Sequence, residues 1–260
     1  MDSRTYEDQE YWNNLRRSRD YYSHENVVTD GNDGEAEFDS KTFETTAGKV
    51  VADVGCGIGE FTLKIAGQAR EVVGVDFSEE AIRRAEKNLS RRGRRNCEFR
   101  RANANELPFP DARFDVVVSR RGPVTSSMQS LLEAFRVLRE GGTLMEITIG
   151  EKDKNNILRI FGRGQMYGIT ERVAVSKGRM LDDAGFLIVE IKDYLGTEIF
   201  RTLDDLIIRL NSAPIIPNFD VKRDEKCLEQ VELECKTSRG IETEVHRVTI
   251  IATKPSLQRT

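Results

Sequence analysis

The apolar run Val50-Val51-Ala52 leads straight into Asp53-Val54-Gly55-Cys56-Gly57-Ile58-Gly59, and no other stretch narrows the possible folds as much. A strand that ends in glycines before an amphipathic helix makes a turn where backbone can lie against a ligand, because glycine permits positive φ and has no Cβ to block approach. The spacing here is G-x-G-x-G. A dinucleotide fingerprint requires G-x-G-x-x-G with a diphosphate over the helix N-terminus, and Glu60 stands where its last glycine would be. Asp53 would lie near that diphosphate and repel it. A cationic ligand is the better match.

The next strand, Glu71-Val72-Val73-Gly74-Val75, ends in Asp76-Phe77, about twenty residues past the first glycine, where an acidic group accepts hydrogen bonds from ribose hydroxyls. Further on come Ala102-Asn103-Ala104-Asn105-Glu106-Leu107-Pro108-Phe109, then Phe114-Asp115-Val116-Val117-Val118-Ser119, then Leu138-Arg139-Glu140-Gly141-Gly142-Thr143-Leu144. With these five segments in order, from about residue 48 to 150, the chain resembles the class I S-adenosylmethionine-dependent methyltransferases. S-adenosylmethionine carries an ammonium and a sulfonium and no phosphate, which suits a carboxylate at the strand end. The resemblance implies a Rossmann-like, doubly wound α/β sheet of seven strands with the last inserted antiparallel. It also implies cofactor contacts at Asp53, Gly55, Cys56, Gly57, Gly59, Asp76, Phe77, Asn103, Ala104 and Ser119. Phe77 would lie on the adenine face and Ala104 would offer its N–H to the ring. Asn103 departs from the family's usual acidic residue, and its carbonyl oxygen would accept from the adenine amino group without bringing charge.

Alternating strands and helices through the middle of the chain indicate a parallel sheet covered on both faces. Ala81, Ile82, Ala85 and Leu89 recur at helical spacing behind Ser78 as N-cap; Leu131, Leu132, Phe135 and Leu138 form a second stripe. Residues 180–186 read as a helix end capped by Gly185 before a strand at 187–191, and a final strand runs over 244–253. The domain would occupy 47–254, with a tail at 255–260.

Three segments are additions to that core. Residues 1–46 hold Tyr6, Tyr11, Trp12, Tyr21 and Tyr22, which read as a docking segment, followed by an acidic stretch from Thr29 to Glu37 that reads as a mobile linker. The others span 150–170 and 195–241, each beginning at the carboxyl end of a strand, where ligands sit in open parallel sheets. They are expected to form a lid. Ile157, Leu158, Leu206 and Leu210 within them read as packing, whereas Arg163, Gln165 and Tyr167 are candidate substrate contacts. Arg120 and Arg121, following the fifth strand's carboxyl end, are candidates for an anionic group of cofactor or acceptor.

At 260 residues with 32% charged content, the chain suffices for one such domain with additions. No apolar stretch approaches the roughly 18 residues a membrane span requires, and the polar start reads as no signal peptide, so a cytoplasmic enzyme is expected. The four cysteines are scattered without a CxxC pair, and only His24 and His246 are available as imidazole ligands, so no metal site is expected. The basic cluster Arg91, Arg92, Arg94, Arg95, Arg100 and Arg101 would serve RNA. It spans the turn from the second helix to the third strand, at the amino ends of the strands, and reads better as a solvated face in a chain of net charge −4.

A small-molecule acceptor methylated on O, N or C is therefore the first expectation. Methylation of a base in ribosomal or transfer RNA is the alternative, and a non-catalytic cofactor-binding module is a third. The chain lacks the N/D-P-P-Y/F tetrapeptide used on exocyclic amines and the Pro-Cys nucleophile used on cytosine C5. No general base is identified; Glu146, within the strand 144–149, and Glu198 or Asp204, in the third addition, are the possibilities, and His246 is placed on the last strand, away from the mouth.

Overall fold

A computed structural model describes residues 27–256. The aromatic residues Tyr6, Tyr11, Trp12, Tyr21 and Tyr22 lie outside the described residues, as does His24. One mixed sheet of nine strands runs in the order β1-β7-β9-β6-β5-β2-β3-β4, with the two-residue β8 (Lys236–Thr237) pairing β9. β2 (Val50–Val54), β3 (Glu71–Asp76), β4 (Cys97–Arg101), β5 (Phe114–Arg120) and β6 (Leu138–Ile149) are linked by parallel pairings. Backbone bonds join Gly142 to Lys254 and Gly150 to His246, a register that descends along β9 (Gly240–Thr253) as β6 ascends, so these two run antiparallel. The seven expected strands are present. The other two are β8 and β1 (Val27–Gly31), which pairs antiparallel with β7 (Leu187–Phe200).

The chain divides into two compact units. Of the described residues, the larger takes 35–148, 174–192 and 248–256. It contains α1 (Glu35–Thr46), α2 (Glu60–Ile65), α3 (Glu79–Arg92), α4 (Met128–Val137) and most of α6 (Val173–Asp183). Its core gathers Phe38, Val51, Leu63, Ile65, Val72, Ile82, Phe99, Val118 and Met145. β2, β3 and β5 are buried along nearly their whole length, the mark of strands covered on both faces. Ser78 caps α3 by accepting the Ala81 N–H at 3.2 Å, and Gly93 ends it in the left-handed region, so this helix begins and stops where its sequence says.

Of the described residues, the smaller unit takes 27–34, 149–173 and 193–247. α5 (Asn155–Phe161), α7 (Leu203–Ser212) and α8 (Glu225–Cys235) build its separate core around Ile157, Leu158, Phe200, Leu206, Leu210 and Val231. The four apolar residues expected to pack there do so. Beneath them lies a buried ionic group: Lys154, 1% exposed, donates to Glu198 at 2.6 Å and to Thr243 at 2.9 Å.

The stretch from Thr29 to Glu37 is not the linker its polarity suggests. Its first part is strand β1, and its last residues open α1, whose Phe38 and Thr42 are buried in the larger unit. Leu132 is 42% exposed and Leu138 already starts β6, so α4's apolar stripe is narrower than the sequence spacing implies.

Candidate functional site

β2 delivers the chain to three glycines in the left-handed region, with φ of +83° at Gly55, +55° at Gly57 and +79° at Gly59. The N–H groups of Gly55 and Cys56 both donate to the Val75 carbonyl, at 2.8 and 3.0 Å, which ties the turn to β3. A Cβ on Gly55 would lie 2.6 Å from Pro123 Cδ and 2.9 Å from the Gly122 Cα; one on Gly59 would lie 2.4 Å from the Phe99 ring. Gly122 and Pro123 thus shape the cradle by direct contact. Nothing in their local sequence marks them, since the contact comes from a separate strand.

Asp76 joins the two strand ends. Its Oδ2 accepts the Gly57 N–H at 2.8 Å and its Oδ1 the Ser78 N–H at 2.9 Å. Each oxygen keeps further lone-pair capacity. Phe77 follows, half-buried, and Ala102 donates its N–H to the Asp76 carbonyl at 3.0 Å, which brings the Ala102–Ala104 segment to the same strand end. Asn103 is exposed and its Oδ1 already accepts the Asn105 N–H at 2.9 Å, so this side chain shapes its own turn.

Asp53 is only 1% exposed, and its Oδ2 accepts the Thr62 hydroxyl at 2.6 Å, fastening β2 to α2 beneath the turn. Burial pushes its carboxyl up to about 6; the Thr62 bond opposes the shift and the Asp76 charge adds to it. Burial likewise raises the half-buried Cys56 thiol, helped by Asp76 and Asp53, which keeps it protonated and unreactive. Ser119, at the carboxyl end of β5, is fully buried with its hydroxyl unpartnered.

Arg120 is not free for an incoming anion. It reaches Glu35 and, at 2.9 Å, Asp39, both on α1, and its guanidinium sits 5.2 Å over the Phe61 ring. Arg121 follows with φ +57° and approaches Glu35 at 3.7 Å. In the smaller unit Arg163 forks onto Asp224 at 2.8 and 2.7 Å and also reaches the Pro217 carbonyl. Gln165 is held by its N–H to the Ile215 carbonyl at 2.9 Å, whereas Tyr167 is 43% exposed.

His246 sits on β9 opposite Gly150, the residue that follows β6, and thus at the carboxyl end of that strand. Ligand atoms of Glu151, Asp193 and His246 all lie within 4.8 Å of one another. Both ring nitrogens are engaged: Nδ1 accepts the Lys152 N–H at 3.1 Å, so Nε2 carries the proton and donates to Asp193 at 2.9 Å. Arg172 takes the other Asp193 oxygen at 2.7 Å and the Val173 N–H takes Glu151 at 3.1 Å. The cluster is a self-satisfied hydrogen-bond network.

Residues 45–177 match the family model of a methyltransferase domain. Over 181 residues the chain is 30% identical to the demethylmenaquinone methyltransferase of Geobacillus sp. (strain WCH70), covering 59% of this chain and 77% of that protein. It is 37% identical over 109 residues to the demethylmenaquinone methyltransferase of Listeria monocytogenes serotype 4a, covering 40% of this chain and 46% of that one. The fold superposes on the YcgJ protein from Bacillus subtilis with a TM-score of 0.63 at 17% identity, covering 85% of this chain and all of that one. The chain belongs to the class I S-adenosylmethionine-dependent methyltransferases.

S-adenosylmethionine is its cofactor, and the cradle suits it. The left-handed glycines leave backbone without side chains at the turn, and the carboxylates of Asp53 and Asp76 lie close enough for their charges to interact. That combination favours a cation over a diphosphate.

Proposed function

We propose that the enzyme transfers the methyl group to oxygen, nitrogen or carbon of a small organic acceptor. The observation that carries this reading is the similarity to a demethylmenaquinone methyltransferase across 77% of that protein's length. The bound donor supplies a methyl group on positively charged sulfur, which leaves by in-line displacement. The protein's own share is positional, since fixing the reacting groups in line removes most of the entropic barrier.

In this reading Gly57 and the Asp76 carboxylate hold the ribose and methionine portions. Phe77 and Ala104 cover the adenine, and Asp53 supplies negative potential from below the turn. Among the arginine candidates, Arg120, Arg121 and Arg163 each face a carboxylate of their own unit, so none is assigned to an anionic group of the acceptor. The cysteines Cys56, Cys97, Cys227 and Cys235 are free thiols, in keeping with a reducing, cytoplasmic setting.

The alternative acceptor is an RNA base. Arg91, Arg92, Arg94 and Arg95 are exposed around the end of α3, but they lead into the amino end of β4, whereas the cradle lies at the carboxyl ends. Labelled donor offered with demethylated quinones, other metabolites and RNA separates the two. Label in a small molecule, with RNA retention absent or weakly dependent on salt, supports the proposal; label in RNA with a steep salt slope overturns it.

A further inference from the structure

Glu146 is completely buried in the middle of the larger unit, and one of its oxygens has no partner. Such an atom forgoes a hydrogen bond it had in water, so a buried carboxyl of this kind calls for a reason beyond packing. Its neighbours supply one. On β5 its register partner is Ser119, whose buried hydroxyl is also unpartnered. Its other oxygen, Oε1, accepts the N–H of Thr125 at 3.4 Å. Thr125 lies in the 3-10 turn Val124–Ser126, and the carbonyl of the same residue accepts from the Lys177 ammonium on α6.

The turn is therefore held at one residue from two separate elements, by its donor and by its acceptor. Ser126 and Ser130 bond the Pro123 carbonyl from within the turn and its following helix, so Glu146 and Lys177 are the grips that come from the sheet and from α6. Directly upstream are Gly122 and Pro123. Gly122 is packed so closely that an added Cβ would lie 2.3 Å from the Val54 carbonyl and 2.6 Å from the Ser119 hydroxyl, and these two residues are the ones that crowd Gly55. A shift of Thr125 by a few tenths of an ångström has no slack to absorb it before the cradle.

We propose that Glu146 and Lys177 are positioning residues for the cofactor: by gripping the N–H and C=O of Thr125 they fix the Gly122–Pro123 turn against Gly55 and so set the cradle's width. The two side chains touch no reacting atom and act through backbone. Burial pushes the Glu146 carboxyl up to about 7 and lowers Lys177, as expected of charges withdrawn from water to do this. Lys177 is the charge that acts on Glu146; Thr125 and Ser119 face it with polar atoms that carry none.

The test is calorimetric binding of S-adenosylhomocysteine to the full chain, with thermal unfolding recorded alongside. Glu146→Gln keeps an acceptor for Thr125 and should bind within about threefold of the parent. Glu146→Met keeps the volume but removes the acceptor, so its Kd should rise roughly tenfold or more, the effect of losing one buried hydrogen bond to a charged group. Its melting temperature should fall, because the Thr125 N–H loses its acceptor and Lys177 its counter-charge. A purely structural role would lower the melting temperature and leave the Kd of the folded protein at the parental value. Lys177→Met should weaken binding in the same sense, and the double variant should add little, since both act on one turn. Parental affinity in Glu146→Met overturns the proposal; if that variant does not fold, parental affinity in Lys177→Met does so. Failure of the parent to bind would instead count against the cofactor assignment.

Discussion

Replacing Asp76 with alanine separates what the cradle needs in order to hold its shape from what it needs in order to hold a ligand. In the free protein the carboxylate receives two backbone N–H groups, from Gly57 and Ser78, at 2.8 and 2.9 Å. Bonds to a charged group are worth about 1.5–3 kcal/mol each when buried. Asp76 is half-buried, so solvent takes up part of the loss and a total of about 1–3 kcal/mol of folding stability is expected. Binding should suffer separately. Ribose hydroxyls left without their acceptor cost about 1–3 kcal/mol, roughly a 5- to 150-fold rise in Kd. Titration calorimetry with S-adenosylhomocysteine gives the second number, and urea unfolding without ligand gives the first. Asp76→Asn should fall between, because one of the two N–H groups then meets an amide nitrogen. A stability loss with unaltered Kd would refute the ribose assignment and leave Asp76 as a loop tether.

Gly59→Ala should lose about 2–4 kcal/mol in urea unfolding, since the methyl meets the Phe99 ring at 2.4 Å while φ stays at +79°; a loss below about 1 kcal/mol would show that the helix start relaxes freely. Lys154→Met should cost about 3–5 kcal/mol by stranding Glu198, seen as a lowered denaturant midpoint. Glu198, held down to about 2 by Lys154, contributes stability above its unfolded value that is lost as pH falls from about 4.5 toward 2. Asp53 behaves oppositely. With a folded value of about 6 against 3.8 unfolded, the native state retains a proton that the unfolded chain has released, so stability falls as pH rises between them. The full swing is about 3 kcal/mol at 1.4 kcal/mol per unit. Asp53→Asn should flatten urea midpoints between pH 4 and 6, and an unchanged slope would contradict the burial of that carboxyl.

Legibility in the sequence followed how local the cause was. The glycine turn, the acidic end of β3 and the Ser78 cap could be seen because each is a short-range demand of backbone geometry on residue type. The β-branched runs revealed the parallel strands for the same reason. What stayed hidden depends on partners distant in the chain. Asp53 looks like a ligand from its spacing, yet its oxygen accepts from Thr62 across the strand–helix boundary. Arg120 looks like an anion site until α1 places Glu35 and Asp39 beside it, 85 and 81 positions away. The acidity of residues 29–37 suggested a linker because composition does not record which of its charges finds a partner.

The same distinction explains where the polar groups of the larger unit carry an energetic penalty. Exposed pairs such as Arg100 with Glu98 are nearly neutral in effect and leave no trace in the fold. Asp53, Ser119 and Glu146 are withdrawn from water at the carboxyl ends of neighbouring strands β2, β5 and β6, where apolar residues would stabilise the sheet more. Two of the three retain an atom with no partner. An enzyme that works by holding a donor and an acceptor in line gains from such residues only if they stiffen the cradle against ligand-induced drift. Substituting all three by apolar residues of similar volume should therefore yield a chain that binds S-adenosylhomocysteine more weakly. A variant that kept its affinity would show that these buried polar groups have no part in the site.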